Sequence, residues 1–180
     1  MAQTAHPLPD SDRLVILGID PGLRVTGYGL IVQSGADIEA LDYGALAVDP
    51  RLPLPERLAA LFRGLQALVA RHAPSEVVVE QPFVAANVRS AMAIGEARAL
   101  AVLAAALAGL PVHQYSPAEV KRAVTGYGRG SKEQVQQMVR LQLRLDVLPE
   151  PFDAADALAV ALCHVSHTRS QSLLERSAVQ

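Results

Sequence analysis

The feature that most constrains this chain is a continuous apolar run, Leu14 to Asp20 (LVILGID), that stops at Asp20-Pro21-Gly22. A run so short and so apolar, closed by a turn signal, predicts a buried strand. Two strand-like stretches follow at once. Val25 to Gln33 and Ile38 to Val48 are separated only by the turn cluster Ser34-Gly35-Ala36-Asp37, which predicts an antiparallel meander. The pattern then changes. Pro55 to His72 carries Leu58, Leu61, Phe62, Leu65, Leu68 and Val69 at the spacing of an amphipathic helix. Val77 to Val79 predicts a short buried strand ending at Glu80. Asn87 to Leu110 predicts a long alanine-rich helix, and Pro111 to Tyr115 a fifth strand. Helices follow over about Pro117 to Val124, Lys132 to Leu145 and Asp153 to His167, with a glycine-rich loop from Gly126 to Gly130. This order predicts an α/β fold: a five-stranded mixed sheet flanked by helices on both faces, with the later strands parallel to the first.

A chain of 180 residues, 51% apolar and 19% charged, suits one globular domain. We expect that domain over residues 14–168, with loose polar tails at 1–13 and 169–180. Cys163 is the one cysteine, so no internal disulfide can form, in keeping with a reducing cytoplasm; its expected role is a packed small side chain. The N-terminus does not resemble a signal peptide. The apolar run Ala99 to Val112 is too short and alanine-rich to span a bilayer, so no membrane role is expected. A net charge of −2 gives no global support for a polyanionic partner, so any such contact must come from a local patch. Lys121, Arg122, Arg129, Lys132, Arg140 and Arg144 are concentrated in the second half. Arg129 and Lys132 flank the glycine-rich loop, where cation and backbone together could approach phosphates. The others suit ordinary solvated helix faces equally well. The segment GYGRGSK has neither the order of a phosphate-binding P-loop nor the spacing of a dinucleotide site.

Four acidic residues stand at predicted element ends. Asp20 closes the first strand and Glu80 the fourth, while Asp153 and Asp156 open the last helix in PFDAADALAVAL. Ligands of open α/β sheets bind beyond the carboxyl ends of parallel strands, which would bring Asp20 and Glu80 together. Asp153 and Asp156 share one helix face. Packed over the same strand ends, that face would complete a cluster that repels itself unless cations are present. Carboxylate oxygens suit Mg²⁺ or Mn²⁺, and two such ions can clamp the attacking and leaving oxygens of an in-line phosphoryl displacement. Each acid also has a plainer reading: a turn residue for Asp20, a surface ion pair for Glu80, and cap and first-turn acids for Asp153 and Asp156. Their joint placement is what favours the cluster. His164 and His167 also have metal-ligand spacing, but they lie roughly 12 Å along the helix beyond Asp156, too far to join the acids.

Leu17 to Leu30, LGIDPGLRVTGYGL, is very similar to the opening motif of the RuvC family. Val79 to Phe83, VEQPF, resembles that family's second motif, and Asp153 to Ala159, DAADALA, its last, with Cys163-His164 continuing the helix. Val120-Lys121 and Gly128 to Met138 resemble its basic middle region, so the likeness runs from about Leu14 to His167. One departure is Ala86, where some relatives are basic. The resemblance implies a ribonuclease-H-like fold and a metal-dependent endonuclease. Such an enzyme resolves four-way (Holliday) DNA junctions by paired cuts on opposed strands, in recombination and repair. It implies that Asp20, Glu80, Asp153 and Asp156 bind two divalent cations. It also implies that Phe83 engages bases, that Lys121 and Lys132 contact DNA, and that a homodimer works with the branch-migration proteins RuvA and RuvB.

Other readings stay open on sequence. An ATP-using actin-like protein shares an opening Gly-Ile-Asp-x-Gly strand, but it needs a second phosphate-binding hairpin and a second domain that this chain lacks room for. A different ribonuclease-H-like nuclease, or a catalytically inactive binder of DNA structures, is the remaining alternative. Assembly is legible in Asn87 to Leu110. This helix is apolar on nearly every face, with only Glu96 and Arg98 interrupting its middle, so it must be covered on more than one side. A second copy of the chain could cover it. So could the chain's own late helices.

Overall fold

The computed structural model describes residues 13–81, 88–128 and 130–178. Phe83, Arg129 and most of the N-terminal tail lie outside them. Strands β1 (Arg13–Asp20), β2 (Val25–Ser34) and β3 (Asp37–Ala47) form the antiparallel meander. β4 (Glu76–Glu80) runs parallel to β1, and β5 (Val112–Tyr115) parallel to β4. The sheet order is β3-β2-β1-β4-β5. Between and after the strands lie α1 (Leu54–His72), α2 (Val88–Leu107), α3 (Pro117–Thr125), α4 (Lys132–Gln142) and α5 (Phe152–Ala178).

The central strand explains the layering. Ile16, Leu17 and Ile19 of β1 are all but inaccessible to solvent, and successive side chains point to opposite faces. Leu17 and Ile19 join α1 and α2 in one core, through Leu61, Leu65, Ala97, Ala101 and Ala105. Ile16, with Ile31 and Val78, joins a second core built on α5, with α3 and α4 packed over it. The ribonuclease-H-like plan of a mixed sheet with helices on both faces is therefore present.

Two element boundaries differ from expectation. α4 ends at Gln142, before the expected Leu145. Arg144 takes φ 53°, its N–H reaching Leu141 O and that of Leu145 reaching Arg140 O. This is the double hydrogen bond usually completed by a C-terminal glycine, so no glycine signals it in the sequence. α5 continues through Ala178, past the point where its polar composition predicts a loose tail. No proline or glycine interrupts it, and the Arg169 guanidinium ties it to the β2–β3 turn by donating to Ala36 O at 2.8 Å. Ser90–Leu107 of α2 is long and apolar enough to cross a membrane by length and composition alone. In this fold it packs on α1, β4 and β5.

The late helices do not cover α2, as one sequence reading allowed. They cover α5, whose residues from Ala157 to Val165 are all buried. α2 keeps Val88, Met92, Leu103 and Leu107 exposed, at 71%, 64%, 45% and 67%.

Candidate active site

The site begins with a close approach. On the face of the sheet opposite α1 and α2, Gly18 of β1 pairs across the ladder with Gly29 of β2, and Asp20 with Gly27. A Cβ on Gly27 would stand 1.9 Å from Asp153 O; one on Gly18 would stand 2.2 Å from Ala157 O. The backbone of α5 therefore lies directly on β1 and β2, and only glycine fits beneath it. That contact sets the first turn of α5, with Asp153 and Asp156, over the strand end that carries Asp20.

The Asp-Pro-Gly turn itself is pinned from inside. The buried Thr26 hydroxyl donates to Gly22 O at 2.6 Å and accepts from Gly22 N–H at 3.2 Å. Beside it, the parallel pairing of β1 with β4 brings Glu80 level with the end of β1. The Asp20 and Glu80 carboxyls are close enough to share a hydrogen bond. Two carboxyls can do so only if one holds a proton. Burial pushes Asp20 up to about 6, and the Asp156 and Asp153 charges raise it further, while the bond from Glu80 works in the opposite direction. Burial and then the Asp20 charge push Glu80 up to about 8.

Lys132 enters from another element. The Ser131 side chain accepts from Gln134 N–H while the Gln134 side chain reaches back to Ser131 N–H, a capping box that fixes the start of α4. This sets Lys132 in the first turn, with Nζ 3.0 Å from Asp156 Oδ2. Burial opposes its charge, but the bond to Asp156 and the nearby Asp20 and Asp153 charges hold Lys132 above the ordinary lysine value.

Of the residues singled out by sequence, Asp20, Glu80, Asp153, Asp156 and Lys132 thus stand at one end of the sheet. Among the described residues, no three of these acids bring one oxygen each within 4.8 Å of one another. Lys121 is half-buried on α3, and its charge is not among those acting on Asp20 or Glu80. His164 stands apart from the acids, as expected, with Nε2 2.6 Å from Glu76 Oε2 and Nδ1 2.9 Å from the Tyr115 hydroxyl. Cys163 is fully buried, and burial pushes its thiol up to about 12, which fits a packed side chain. Sequence reasoning missed Glu76 and His113, which no motif marks. It also missed the Lys132–Asp156 pair, whose members are 24 residues apart.

A cleft opens beside the acids, between the β1–β2 turn and the start of α2. It is lined by Gly22, Arg24, Arg57, Ser90, Met92 and Asp153 among others. Arg57 holds its wall by donating to Leu23 O at 3.1 Å.

The protein-family model described as crossover junction endodeoxyribonuclease RuvC matches residues 16–164. A RuvC of Heliobacterium modesticaldum is 51% identical over 150 residues, 83% of this chain and 93% of that protein. A RuvC of Dehalococcoides mccartyi is 50% identical over 152 residues, 84% of this chain and 92% of that protein. Among solved structures, Thermus thermophilus RuvC in complex with a Holliday junction substrate is similar at TM-score 0.82 and 35% identity, over 88% of this chain and 96% of that one. The yeast mitochondrial Holliday junction resolvase shares the fold at TM-score 0.61 and 13% identity, over 89% of this chain and 83% of that one.

Proposed function

Because this chain belongs to the RuvC family of crossover junction endodeoxyribonucleases, we propose that it resolves four-way DNA junctions by divalent-metal-dependent phosphodiester hydrolysis, with Asp20, Glu80, Asp153 and Asp156 as catalytic metal ligands. One observation carries the assignment of the acids. Two carboxyls at the ends of adjacent parallel strands are buried beside one another and raise each other's proton affinity, with two more acids from α5 beside them. Such a site is strained as an anion and is relieved by cations.

The donor set fits hard cations, because all four ligands are carboxylates, and we assign it two ions. Mg²⁺ or Mn²⁺ bound there would supply positive charge to the attacked phosphate and its leaving oxygen. The protein's own part begins with Asp20 and Glu80, whose raised proton affinity would fall with cations held between them. Asp153 and Asp156 are held in place by the α5 backbone seated on Gly27 and Gly18. Lys132 restrains Asp156 and sets a cation where a scissile phosphate would lie. We assign Lys121 and Arg129 to contacts with DNA phosphates and Phe83 to stacking on a base at the junction, as the sequence motifs imply.

The same reading includes a homodimer. Val88 and Met92 near the start of α2, and Leu103 and Leu107 near its end, fall on one side of the helix and expose apolar surface there, with Glu96 between the two pairs. A second copy across a two-fold axis would cover it and set two sites on opposed strands, beside RuvA and RuvB on the junction. A DNA substrate and a single buried cysteine suit a cytoplasmic enzyme.

The test is cleavage of a synthetic four-way junction with Mg²⁺, with Mn²⁺ and with EDTA, against plain duplex and RNA–DNA hybrid. Metal-dependent cutting of the junction alone is expected. Asp20→Asn should lose about 10³-fold in rate, the equivalent of ~4 kcal/mol of transition-state stabilisation, while binding persists. Preferential cutting of the hybrid would mark a different ribonuclease-H-like nuclease. Binding without cutting would mark an inactive junction binder, and near-normal cutting by Asp20→Asn would remove the metal assignment.

A further inference from the structure

A second cluster of ligand-type side chains lies at the opposite end of the same sheet face. Along β4, Glu76 stands four residues before Glu80, about 13 Å away. Along α5, which runs the other way, His164 stands eight residues beyond Asp156, about 12 Å away. The two offsets match, so Glu76 and His164 meet at the far end just as Glu80 meets the α5 acids at the near one. His113 of β5 completes the group. Its Nε2 is 3.3 Å from Glu76 Oε2, and its ring centroid is 4.3 Å from that of His164.

We propose that Glu76, His113 and His164 form a binding site for a borderline transition-metal ion of the zinc class, separate from the catalytic acids. One carboxylate oxygen and two imidazole nitrogens, all within 4.8 Å of one another, make up the donor set. Two imidazoles and a carboxylate suit Zn²⁺ and disfavour Mg²⁺, which prefers oxygen ligands.

Three observations point to an ion rather than to a hydrogen-bonded pair. First, His113 Nε2 is buried and makes no hydrogen bond, despite its nearness to Glu76. A buried ring nitrogen left without a hydrogen bond beside a carboxylate and a second imidazole is an unsatisfied polar atom that an ion between them would satisfy. Second, the Tyr115 hydroxyl sits 2.9 Å from His164 Nδ1. With no ion bound, Nε2–H donates to Glu76 and the hydroxyl can donate to Nδ1; the same hydroxyl can accept from Nδ1–H once an ion takes Nε2, the usual support for a ligating histidine. Third, His113 keeps a side-chain exposure of 40%, which gives an ion a way in. Binding requires the Glu76–His164 contact to open from 2.6 Å to about 3.3 Å, the edge of a tetrahedron around zinc. Water would complete the tetrahedron. The ion would tie α5 to β4 and β5 at the end of the sheet remote from the chemistry.

The test uses untagged full-length protein, stripped with chelator and held in excess Mg²⁺ to occupy the acids. It is titrated with ZnCl₂, and in parallel with CoCl₂ as an optical probe. We expect one tight zinc per chain, the intense visible absorption of tetrahedral cobalt, and a higher melting temperature. All three should survive in Asp156→Asn and disappear in His113→Ala and Glu76→Gln, with junction cleavage in Mg²⁺ retained in the last two. The proposal is overturned if wild type takes up no zinc in excess Mg²⁺, or if Asp156→Asn loses the ion. It is equally overturned if His113→Ala and Glu76→Gln keep the ion. None of these readouts depends on the catalytic reading, so the two can fail separately.

Discussion

Lys132 Nζ lies 3.0 Å from Asp156 Oδ2, so the cation that, among the described residues, acts on the acid pair is bonded to a member of the proposed metal-binding set. On sequence alone, Lys132 belongs with the DNA contacts, and its loss should weaken binding and flatten its salt dependence. Its position beside Asp156 shifts the expected defect toward the chemical step. A charge-assisted hydrogen bond of roughly 1.5–3 kcal/mol corresponds to about a 10- to 100-fold change in rate. Lys132→Met should therefore lower the single-turnover cleavage rate by that factor at saturating junction, with a much smaller change in affinity. A normal rate at saturation with a shallower salt slope would return Lys132 to the class of phosphate contacts.

Glycine beneath α5 is the second point at which a small change should have a large effect. A methyl group on Gly27 would meet Asp153 O at 1.9 Å, and backbone cannot yield as a flexible side-chain end does. Gly27→Ala must lift the start of α5 off the sheet or fail to pack. We expect a loss of about 1–3 kcal/mol, the usual range for overpacking, and cleavage impaired beyond what stability explains. Chemical denaturation and junction cleavage measured on the folded fraction would check this. A variant with wild-type stability and rate would mean that α5 does not sit against β2 as described.

Much of this site was legible because its acids follow strong hydrophobic signals. Asp20 ends a strand of unbroken apolar character, and Glu80 ends Val77–Val79. The rule that such strands run parallel places both at one edge. The seating of α5 was not legible. Gly18, Gly27 and Gly29 look like weak strand residues until the helix that needs their missing side chains is in place. The Glu76–His113–His164 group was equally hidden. Its members come from two strands and a helix, and the hydrogen bond between Glu76 and His164 spans 88 residues. The end of α4 was misplaced because Arg144 takes the role that the sequence usually gives to glycine.

The raised proton affinity of Asp20 and Glu80 makes a prediction about pH. Asp20 is raised from 3.8 to about 6, and Glu80 from 4.5 to about 8. Both values lie above those of the unfolded chain, so between about pH 4 and 8 the folded protein holds protons that the unfolded chain has lost. Stability falls with rising pH wherever the folded state binds more protons. The metal-free protein should thus gain its full contribution from this pair below about pH 4 and lose it as pH climbs through 6 and then 8. Mg²⁺ or Mn²⁺ should reverse the trend, because cations favour the ionised acids. Melting temperatures in EDTA should decline from pH 5 to 8.5, while those in Mn²⁺ should decline less or rise. The Asp20→Asn/Glu80→Gln double variant, which cannot share a titrating proton, should remove the difference. Identical pH profiles for wild type and double variant would show that the pair does not titrate in this range.

The last prediction concerns assembly. Alternative cover for α2 from the chain's own late helices is gone, since α3 and α4 pack on α5, across the sheet. α2 shows apolar side chains to solvent near both ends: Val88 and Met92 at 71% and 64% exposed, then Leu103 and Leu107 at 45% and 67%. Counted at 100° per residue, these four fall within about one quadrant of the helix, with Glu96 between the two pairs, so they share one side and are not scattered surface leucines. One side of a helix of 20 residues is some 30 Å long, enough to form the centre of an interface of standard size. A self-complementary pairing about a two-fold axis closes without leaving a second patch open, whereas a head-to-tail pairing would propagate. This side also runs from the end of α2 nearest the acids, as Met92 lines the cleft that Asp153 borders. Pairing through α2 would therefore fix the separation of two active sites. Light scattering should give twice the chain mass of 19.1 kDa for wild type. Met92→Glu combined with Leu103→Glu should give a folded monomer, because both side chains already face solvent and their change costs the single chain little. On a junction labelled in two opposed strands, wild type should release paired nicks within one binding event. The monomeric variant should give single nicks that leave the branch unresolved. A wild-type chain that stays monomeric both free and on the junction, or a variant that still cuts in pairs, would remove α2 as the dimer face.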